Sequence, residues 1–265
     1  PEDKKLAAEY FKKGAEKGDT KAMVKYGEKL YNGDGVDKNV EEAARYFKQA
    51  AEKDDENGLL YYGMVLENGW GVPQDKNEAS VFYKKAADLG NATAMYNYGC
   101  FLYNQNKKED AANCFRIAAD KGNYRAMNNL GLMLYMGEGV DQNKVEASNY
   151  FKDAADHGRV ISMLNYADML NKGDGIPENK EIASIYLQNA IKSGQIDTIY
   201  NYAEQFYDGK LFVPDKKKAA QFFKIAADEG NKNAMLKYGN MLINGDGVDT
   251  NESEGKHYLQ LASEK

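Results

Sequence analysis

TKAMVKYGEKLYNG, residues 20–33, is the stretch that decides the fold, because the chain returns to this pattern six more times. Successive copies, aligned on the Tyr-Gly step, lie 36, 36, 32, 36, 36 and 36 residues apart. A fixed period of this length is typical of solenoids, in which each unit packs on its neighbours. The sequence therefore predicts a repeat array that offers one extended surface. The anchor positions are Gly27, Gly63, Gly99, Gly131, Ala167, Ala203 and Gly239.

Each repeat is predicted to hold two helices. In the first repeat, apolar residues recur at helical spacing over residues 20–32 and again over residues 40–53. The Gly-Asp-Gly segment at 33–35 lies between them and supplies turns with positive φ. Asp19 and Asn39 are predicted to cap the two helices. Extended over the whole chain, the pattern predicts fifteen helices, of which the first and the last are terminal.

The anchor glycine lies in the middle of a helix, where glycine costs ~1 kcal/mol relative to alanine. Its recurrence predicts a place where two helices nearly touch. Two connections depart from the repeat. The third repeat has a turn at 104–107 that is four residues shorter, and we expect it to alter the surface beside Tyr96 and Asn97. The sixth repeat has Gly-Lys-Leu-Phe at 209–212 and so loses the second glycine.

Composition excludes several classes of function. The 265-residue chain has 35 Lys and Arg against 41 Asp and Glu, a net charge of -6, and the two signs are interleaved. Nucleic-acid binding needs a basic face, so we expect none. No apolar run approaches the ~20 residues of a membrane span, so we expect no membrane insertion. The chain begins at Pro1 within a helical pattern and without an initiator Met, and we expect it to be a segment of a longer protein.

Cysteine usage favours a reducing compartment. Cys100 and Cys114 are the two cysteines, and no cluster of Cys or His accompanies them. We interpret them as free thiols and expect a cytoplasmic protein, while the sequence leaves the endoplasmic reticulum lumen and secretion open.

The repeat closely resembles the Sel1-like repeat family, a relative of the tetratricopeptide repeats. The matching motifs are Ala-Met-x-x-Tyr-Gly at 22–27, Gly-x-Gly-Val at 33–36 and Tyr-Phe-Lys-x-Ala-Ala at 46–51. The resemblance implies an all-α fold, a right-handed α-solenoid of about seven helix-turn-helix repeats plus a partial N-terminal unit. We expect one solenoid domain over 1–265. Its predicted parts are a partial unit at 1–18 and repeats at 19–54, 55–90, 91–122, 123–158, 159–194, 195–230 and 231–265.

The resemblance also implies a non-enzymatic role, because members of the family mostly act as adaptors and scaffolds. A cysteine-rich bacterial branch carries regular disulfides, and penicillin binding of the β-lactamase type has been attributed to it. The corresponding positions here are alanine, so those bridges are absent. They are Ala22, Ala51, Ala94 and Ala126.

The residues themselves show no catalytic constellation. Nucleophile elbows, phosphate loops and dinucleotide fingerprints are missing. His157 and His257 are isolated and lack metal-ligand spacing. We therefore expect no enzyme, no cofactor and no metal.

One row of residues is a candidate binding surface. Resemblance to tetratricopeptide units implies that the positions two before and one after the anchor face a concave groove. The former series reads Lys25, Tyr61, Asn97, Asn129, Asn165, Asn201 and Lys237. Four consecutive asparagines in register would form a ladder, since each amide can donate to and accept from a peptide backbone. The alternative is that duplication copied a common residue.

Apolar residues lie beside the ladder in the second to fourth repeats and would suit a partner's side chain. They are Leu60, Met64, Tyr96, Phe101, Leu132, Met133 and Met136. Of these, Phe101 and Met133 are expected to be buried between helices. Asp168, Glu204 and Asp208 are expected to make the fifth and sixth repeats acidic.

Three hypotheses follow for function. The first is a module that binds an extended peptide of a partner protein in its groove. The second is a structural spacer or scaffold with partners on the convex face or the edges. The third, a remote one, is activity of the kind attributed to the cysteine-rich members.

Overall fold

The structure, a computed structural model, describes residues 2–209 and 214–264. In these ranges it contains α-helices and no strand, so the fold is an all-α solenoid, as predicted. The helices are α1 (Glu2–Glu16), α2 (Thr20–Asn32), α3 (Val40–Ala51), α4 (Glu56–Asn68), α5 (Lys76–Asp88), α6 (Ala92–Asn104), α7 (Lys108–Asp120), α8 (Tyr124–Met136), α9 (Lys144–Asp156), α10 (Val160–Lys172), α11 (Lys180–Lys192), α12 (Ile196–Asp208), α13 (Lys216–Asp228), α14 (Lys232–Asn244) and α15 (Glu252–Ser263).

The helices form two compact units, Pro1–Asn143 with α1 to α8 and Lys144–Lys265 with α9 to α15. Within each unit, helices that follow each other in the chain pack together. We call α2, α4, α6, α8, α10, α12 and α14 the first helices of their repeats and the others the second helices. First helices of neighbouring repeats also touch directly, α2 with α4 in one unit and α10 with α12 in the other.

The predicted caps explain where the helices begin. The Asp19 carboxylate accepts a hydrogen bond from the backbone N–H of Ala22 at 3.1 Å, and the Asn39 side chain accepts one from Glu42 at 2.9 Å. Each satisfies a backbone donor that the first turn of a helix leaves free. Gly33, with φ at +71°, ends α2 in the left-handed conformation.

The anchor glycines mark close helix contacts, as predicted. A Cβ added at Gly27 would lie 2.7 Å from a ring carbon of Phe47 on the second helix of the same repeat. The equivalent distance is 2.7 Å from Gly63 to Tyr83 and 2.8 Å from Gly99 to Phe115. No side chain fits in that space, because real Cβ atoms do not approach other atoms so closely.

In most repeats, a T-shaped pair of aromatic rings joins the two helices. The tyrosine before the anchor meets an aromatic residue of the second helix in a T-shaped arrangement, a geometry that stabilises by ~0.5–1.5 kcal/mol beyond the buried area. The centroid distances are 5.0 Å for Tyr26–Tyr46, 4.8 Å for Tyr62–Phe82, 5.0 Å for Tyr166–Tyr186, 5.0 Å for Tyr202–Phe222 and 5.1 Å for Tyr238–Tyr258. The third repeat has Cys114 in the place of the second ring.

The Gly-x-Gly turn packs on the start of the second helix of the preceding repeat. A Cβ on Gly35 would lie 2.2 Å from the carbonyl oxygen of Lys4, and a Cβ on Gly71 would lie 2.7 Å from Cα of Glu41. The second glycine is therefore required both by its positive φ and by this close approach. The turns of the fourth, fifth and seventh repeats make the same contact, at 2.4 Å for Gly139 with Lys108, 2.4 Å for Gly175 with Lys144 and 2.5 Å for Gly247 with Lys216.

The residue between the two glycines pairs with the same helix start, thirty residues earlier in the chain. Where it is acidic, its partner is a lysine, with nitrogen–oxygen distances of 2.8 Å for Lys4–Asp34, 3.1 Å for Lys108–Glu138, 2.7 Å for Lys144–Asp174 and 2.8 Å for Lys216–Asp246. In the second repeat, Trp70 takes this place and Val40 replaces the lysine. The Trp70 ring instead packs at 4.8 Å from Tyr31 of the preceding first helix.

The third repeat has no such turn. Its helix α6 ends at Asn104 and α7 begins at Lys108, with a tight turn closed by a 3.0 Å hydrogen bond from Lys107 N–H to the Leu102 carbonyl. Asn106, with φ at +60°, supplies the left-handed residue that glycine supplies elsewhere. In the sixth repeat, residues 210–212, where the second glycine was predicted to be lost, lie outside the described residues.

Candidate partner-binding surface

We call the predicted groove positions of the first unit the first-helix face. It consists of the residues two before and one after each anchor on α2, α4, α6 and α8. They are Lys25, Glu28, Tyr61, Met64, Asn97, Cys100, Asn129 and Leu132. Lys25 is exposed and the other seven are half-buried.

Neighbouring repeats are joined across this face. The Tyr61 hydroxyl donates to the Glu28 carboxylate of the preceding first helix at 2.5 Å. Burial, reinforced by this hydrogen bond, raises the pKa of Tyr61 to about 12. Between α8 and α6, the Asn129 amide nitrogen lies 4.0 Å from Cys100 Sγ. The residue two before one anchor therefore touches the residue one after the previous anchor, and the face is continuous from α2 to α4 and from α6 to α8.

A polar cluster that the sequence analysis missed lies between α4, α5 and α6. The Tyr83 ring is 2% exposed, and its hydroxyl donates to the Glu67 carboxylate at 2.6 Å. The Asn97 side chain acts in the opposite direction to Glu67 on the pKa of Tyr83 and lowers it. Burial, and then the bond to Glu67, raises the pKa of Tyr83. The sequence carries a signal for it, because the ring beside the anchor is Phe in the first, third, fourth and sixth repeats and Tyr only at 83.

The apolar residues divide between the face and the core. Met64, Leu132 and Met136 are half-buried and border the face. The half-buried Tyr96 has its ring 5.8 Å from that of Phe115. Leu60 was expected beside the ladder, but it is 7% exposed and belongs to the core.

The two expected burials at this surface have different outcomes. Met133 is 3% exposed, as predicted. Phe101 is only half-buried.

The asparagine ladder does not extend unchanged into the second unit. Asn165 is 5% exposed, so the expectation that its side chain faces an open groove is wrong. Asn201 is exposed. Lys237 is half-buried, with its ammonium 4.2 Å from the Tyr207 ring centre and 3.3 Å from the Glu204 carboxylate.

The expected acidic character of the fifth and sixth repeats is largely neutralised by lysines. Asp168 is paired with Lys218, which is 7% exposed and reaches from the start of α13, and with Lys172 at 3.4 Å. The Lys218 ammonium also lies 3.9 Å from the ring centre of Phe206. Burial lowers the pKa of Lys218 to about 8 against the opposing effect of Asp168. Glu204 is likewise paired, with Lys237.

The two cysteines are half-buried free thiols. Burial raises the pKa of both Cys100 and Cys114. A raised pKa keeps a thiol protonated and therefore less nucleophilic. In the part of the chain that the structure describes, no helix is both long enough and apolar enough to span a membrane.

The Sel1 repeat model matches eight segments that together cover nearly the whole chain. The segments are 1–19, 20–55, 57–91, 92–123, 125–158, 160–195, 196–231 and 232–265. The chain belongs to the Sel1 repeat family. Sel1 repeat proteins are in general protein-interaction scaffolds.

Solved structures of Sel1 repeat proteins resemble the chain along its length. It is 27% identical, with a TM-score of 0.72, to c5321, a protective antigen of uropathogenic Escherichia coli with this fold. That match covers 97% of this chain and 56% of c5321, so the chain spans little more than half of that relative. It is 28% identical, with a TM-score of 0.64, to a Sel1 repeat protein from Oxalobacter formigenes, covering 97% of this chain and 76% of that one. No curated protein matches the chain.

Proposed function

We propose that this Sel1 repeat protein is a non-enzymatic adaptor that binds an extended peptide segment of a partner protein along the first-helix face. The observation that carries the proposal is that polar and apolar groups share that face in the first unit, with side-chain contacts across it from α2 to α4 and from α6 to α8. The amides of Asn97 and Asn129 lie there with the half-buried side chains of Met64, Leu132 and Met136. The proposal includes no covalent chemistry at any of these residues.

The two amides suit a peptide backbone. A primary amide has two donor hydrogens and a carbonyl oxygen with two lone pairs, so one contact leaves most of this capacity available. Within the described part of the chain, the Asn129 side chain has only the long contact to Cys100 Sγ at 4.0 Å, and Asn97 has no side-chain hydrogen bond that would occupy its amide. An extended peptide presents alternating N–H and C=O groups that both amides could bind without regard to its sequence.

The apolar residues would select among peptides. Methionine is flexible and polarisable, and it adapts its shape to different partner side chains. Met64 and Met136 border the face on different first helices. We therefore expect the amides to hold the peptide and the methionines to favour an apolar anchor residue.

A second candidate is a scaffold whose partners bind the second helices. Val81 on α5 and Ile117 on α7 favour it, because they are 53% and 44% exposed. Single exposed apolar residues are common on protein surfaces, so this observation is weaker than the side-chain contacts across the first-helix face.

A titration separates the two candidates. The probes are pools of random-sequence decapeptides with a fluorescent label, and the readout is fluorescence anisotropy. A neutral hydrogen bond is worth about 0.5–1.5 kcal/mol net, so the double variant Asn97→Ala with Asn129→Ala, which removes two, should bind about 5- to 150-fold more weakly.

The matched control is Val81→Ser with Ile117→Ser, which changes two residues of the second helices. Under the proposal it binds the pools like the parent. Loss of binding in this control, with full binding by the asparagine variant, would move the interaction to the second helices.

A further inference from the structure

The short turn of the third repeat lacks a residue that other repeats place against the preceding first helix, and we call the position of this missing residue the vacancy. In three repeats, the middle residue of the Gly-x-Gly turn contacts a residue in the last turn of the preceding first helix, which lies two before the turn glycine where that glycine is present. Trp70 packs at 4.8 Å from Tyr31, Glu138 accepts from Tyr103 at 2.5 Å, and Asp246 accepts from Tyr207 at 2.8 Å. Glu67 has this position on α4, and the repeat that follows it lacks the turn.

The start of α5 is open for the same reason. The second glycine of a turn packs on the starts of α1, α3, α7, α9 and α13. Helix α5 precedes the short turn and has no such glycine against it. Its first residue, Lys76, is exposed and has no acidic partner within 4.0 Å in the described part of the chain.

Of the two side chains at this vacancy, Lys76 is exposed to water and Glu67 is the more enclosed. It is half-buried, and its Oε2 is held by the Tyr83 hydroxyl at 2.6 Å. Within the described residues, no lysine, arginine or histidine nitrogen lies within 4.0 Å of its carboxylate. Other half-buried glutamates that accept from a tyrosine have a cation as well, Glu28 from Lys25 at 2.8 Å and Glu138 from Lys108 at 3.1 Å.

We propose that this vacancy is a pocket for a basic side chain, lysine or arginine, of the partner peptide, with the Glu67 carboxylate as its anchor. A carboxylate that is partly removed from water is stabilised by a cation, because its own hydration is incomplete. The Tyr83 ring is fully enclosed, so its hydroxyl fixes the carboxylate before the partner arrives, and little freedom is lost on binding.

The proposal rests on the proposed function, since it names a residue of the same partner. It also commits to a cation rather than an anion. In other turns an acidic residue takes the equivalent position. Where Glu138 and Asp246 do so, the side chain beside them on the preceding first helix is a neutral tyrosine, Tyr103 or Tyr207. Here the neighbour is the carboxylate of Glu67, which would repel an acid.

The experiment measures the preference for charge at one peptide position. The probes are five pools of labelled decapeptides of Ala, Ser, Thr and Gly in which the central residue is fixed as Arg, Lys, Gln, Leu or Glu. The parent should bind the Arg and Lys pools about tenfold more tightly than the Gln pool, as expected for a charge-assisted hydrogen bond.

Three variants test the role of Glu67. Glu67→Gln keeps an acceptor for the Tyr83 hydroxyl and should lose the preference for basic pools. Glu67→Lys should reverse it in favour of the Glu pool. Insertion of Gly-Trp-Gly-Val after Asn104, which restores a turn of ordinary length with the non-acidic sequence of residues 69–72, should fill the vacancy and also remove the preference.

The matched control is Glu138→Gln. It removes the same charge from a glutamate that also accepts from a tyrosine, but one that already has Lys108 and lies in a turn. This variant should keep the full preference for basic pools. If it loses the preference as Glu67→Gln does, the effect comes from net charge and the proposed pocket is wrong.

The outcomes also separate this proposal from the proposed function. Equal binding of all five pools by the parent, with loss of binding in the asparagine variant, would overturn the basic pocket and leave the peptide surface standing. Binding of no pool at all would overturn both.

Discussion

The second and third repeats carry the same pair of helices and join them in different ways. Helices α4 and α5 are 13 residues each, as are α6 and α7. Both pairs have the close contact at the anchor, 2.7 Å from Gly63 to Tyr83 and 2.8 Å from Gly99 to Phe115. The turn of the second repeat packs on α3 through Gly71, whereas the turn of the third has no second glycine and leaves the start of α5 open.

The difference shows that the helix faces and the Gly-x-Gly turn of a repeat have separate structural roles. The helix faces determine how the two helices of a repeat pack, because this contact survives the loss of four turn residues. The Gly-x-Gly turn instead covers the helix start of the preceding repeat. A shortened turn therefore changes the surface between two repeats and leaves the helix pair in place.

The largest expected effect concerns the close helix contact at the anchor glycine, which the two repeats share. Gly63→Leu and Gly99→Leu each place a side chain where a Cβ alone would lie within 2.8 Å of a buried ring. Each should lower the free energy of unfolding by about 2–4 kcal/mol through overpacking. Chemical denaturation followed by circular dichroism measures both. If either variant unfolds like the parent, the helix contact is not close in that repeat.

The next prediction tests the Gly-x-Gly turn, which the second repeat has and the third repeat lacks. Gly71→Ala puts a Cβ 2.7 Å from Cα of Glu41 at a residue with φ at +71°, and should cost about 2–3 kcal/mol. Asn106→Ala changes the left-handed residue of the short turn, which has no second glycine, and should cost only about 1 kcal/mol. Equal costs in the same denaturation assay would mean that the turn does not depend on the preceding repeat.

A smaller effect belongs to the charged pair of the next regular turn. Tyr103 and Lys108 lower the pKa of Glu138, and a carboxylate whose pKa is lowered by folding stabilises the protein above its unfolded pKa. Glu138→Gln should cost at most about 1 kcal/mol at pH 7, because the pair is partly exposed. The difference from the parent should fade as the pH falls through and below about 4.5. Urea denaturation at several pH values would show it, and a difference that is the same at pH 3 would exclude the ion pair as its cause.

The smallest expected effect concerns Lys76 at the open start of α5. Lys76→Ala should change the free energy of unfolding by less than about 0.5 kcal/mol, because Lys76 has no acidic partner from a turn. Lys108→Ala removes the partner of Glu138 and should cost more, up to about 1 kcal/mol. A cost for Lys76→Ala as large as that for Lys108→Ala would show that α5 has a partner in solution.

Much of the fold could be predicted because it is set by local rules. The period, the caps at Asp19 and Asn39 and the glycine at the helix contact follow from residues close together in sequence or repeated in register. The packing of the turn on the preceding repeat could not be derived in this way. It depends on how one repeat is placed on another, although the thirty-residue spacing of lysine and acid carries a signal for it.

The candidate surface was predictable in outline and not in detail. Helical spacing places Asn97, Asn129 and Asn165 in equivalent positions, but the structure buries Asn165. Exposure at one position depends on the side chains that neighbouring helices contribute, and these differ between repeats. The contact of Lys218 with Asp168 could not be predicted for the same reason. The position of Lys218 in its helix is acidic in the first four repeats, so the other repeats gave no sign of a buried lysine there.

The central claim is that a partner peptide lies on the first-helix face, and methionine methyl NMR tests it most directly. Four methionines of the first unit serve as reporters. Met64 and Met136 border the face, while Met127 and Met133 are 7% and 3% exposed on the same α8 helix as Met136. We expect the basic decapeptide pools to shift the Met64 and Met136 signals in proportion to occupancy and to leave Met127 and Met133 nearly in place. Unchanged Met64 and Met136 signals at a peptide concentration that saturates the anisotropy would contradict the claim.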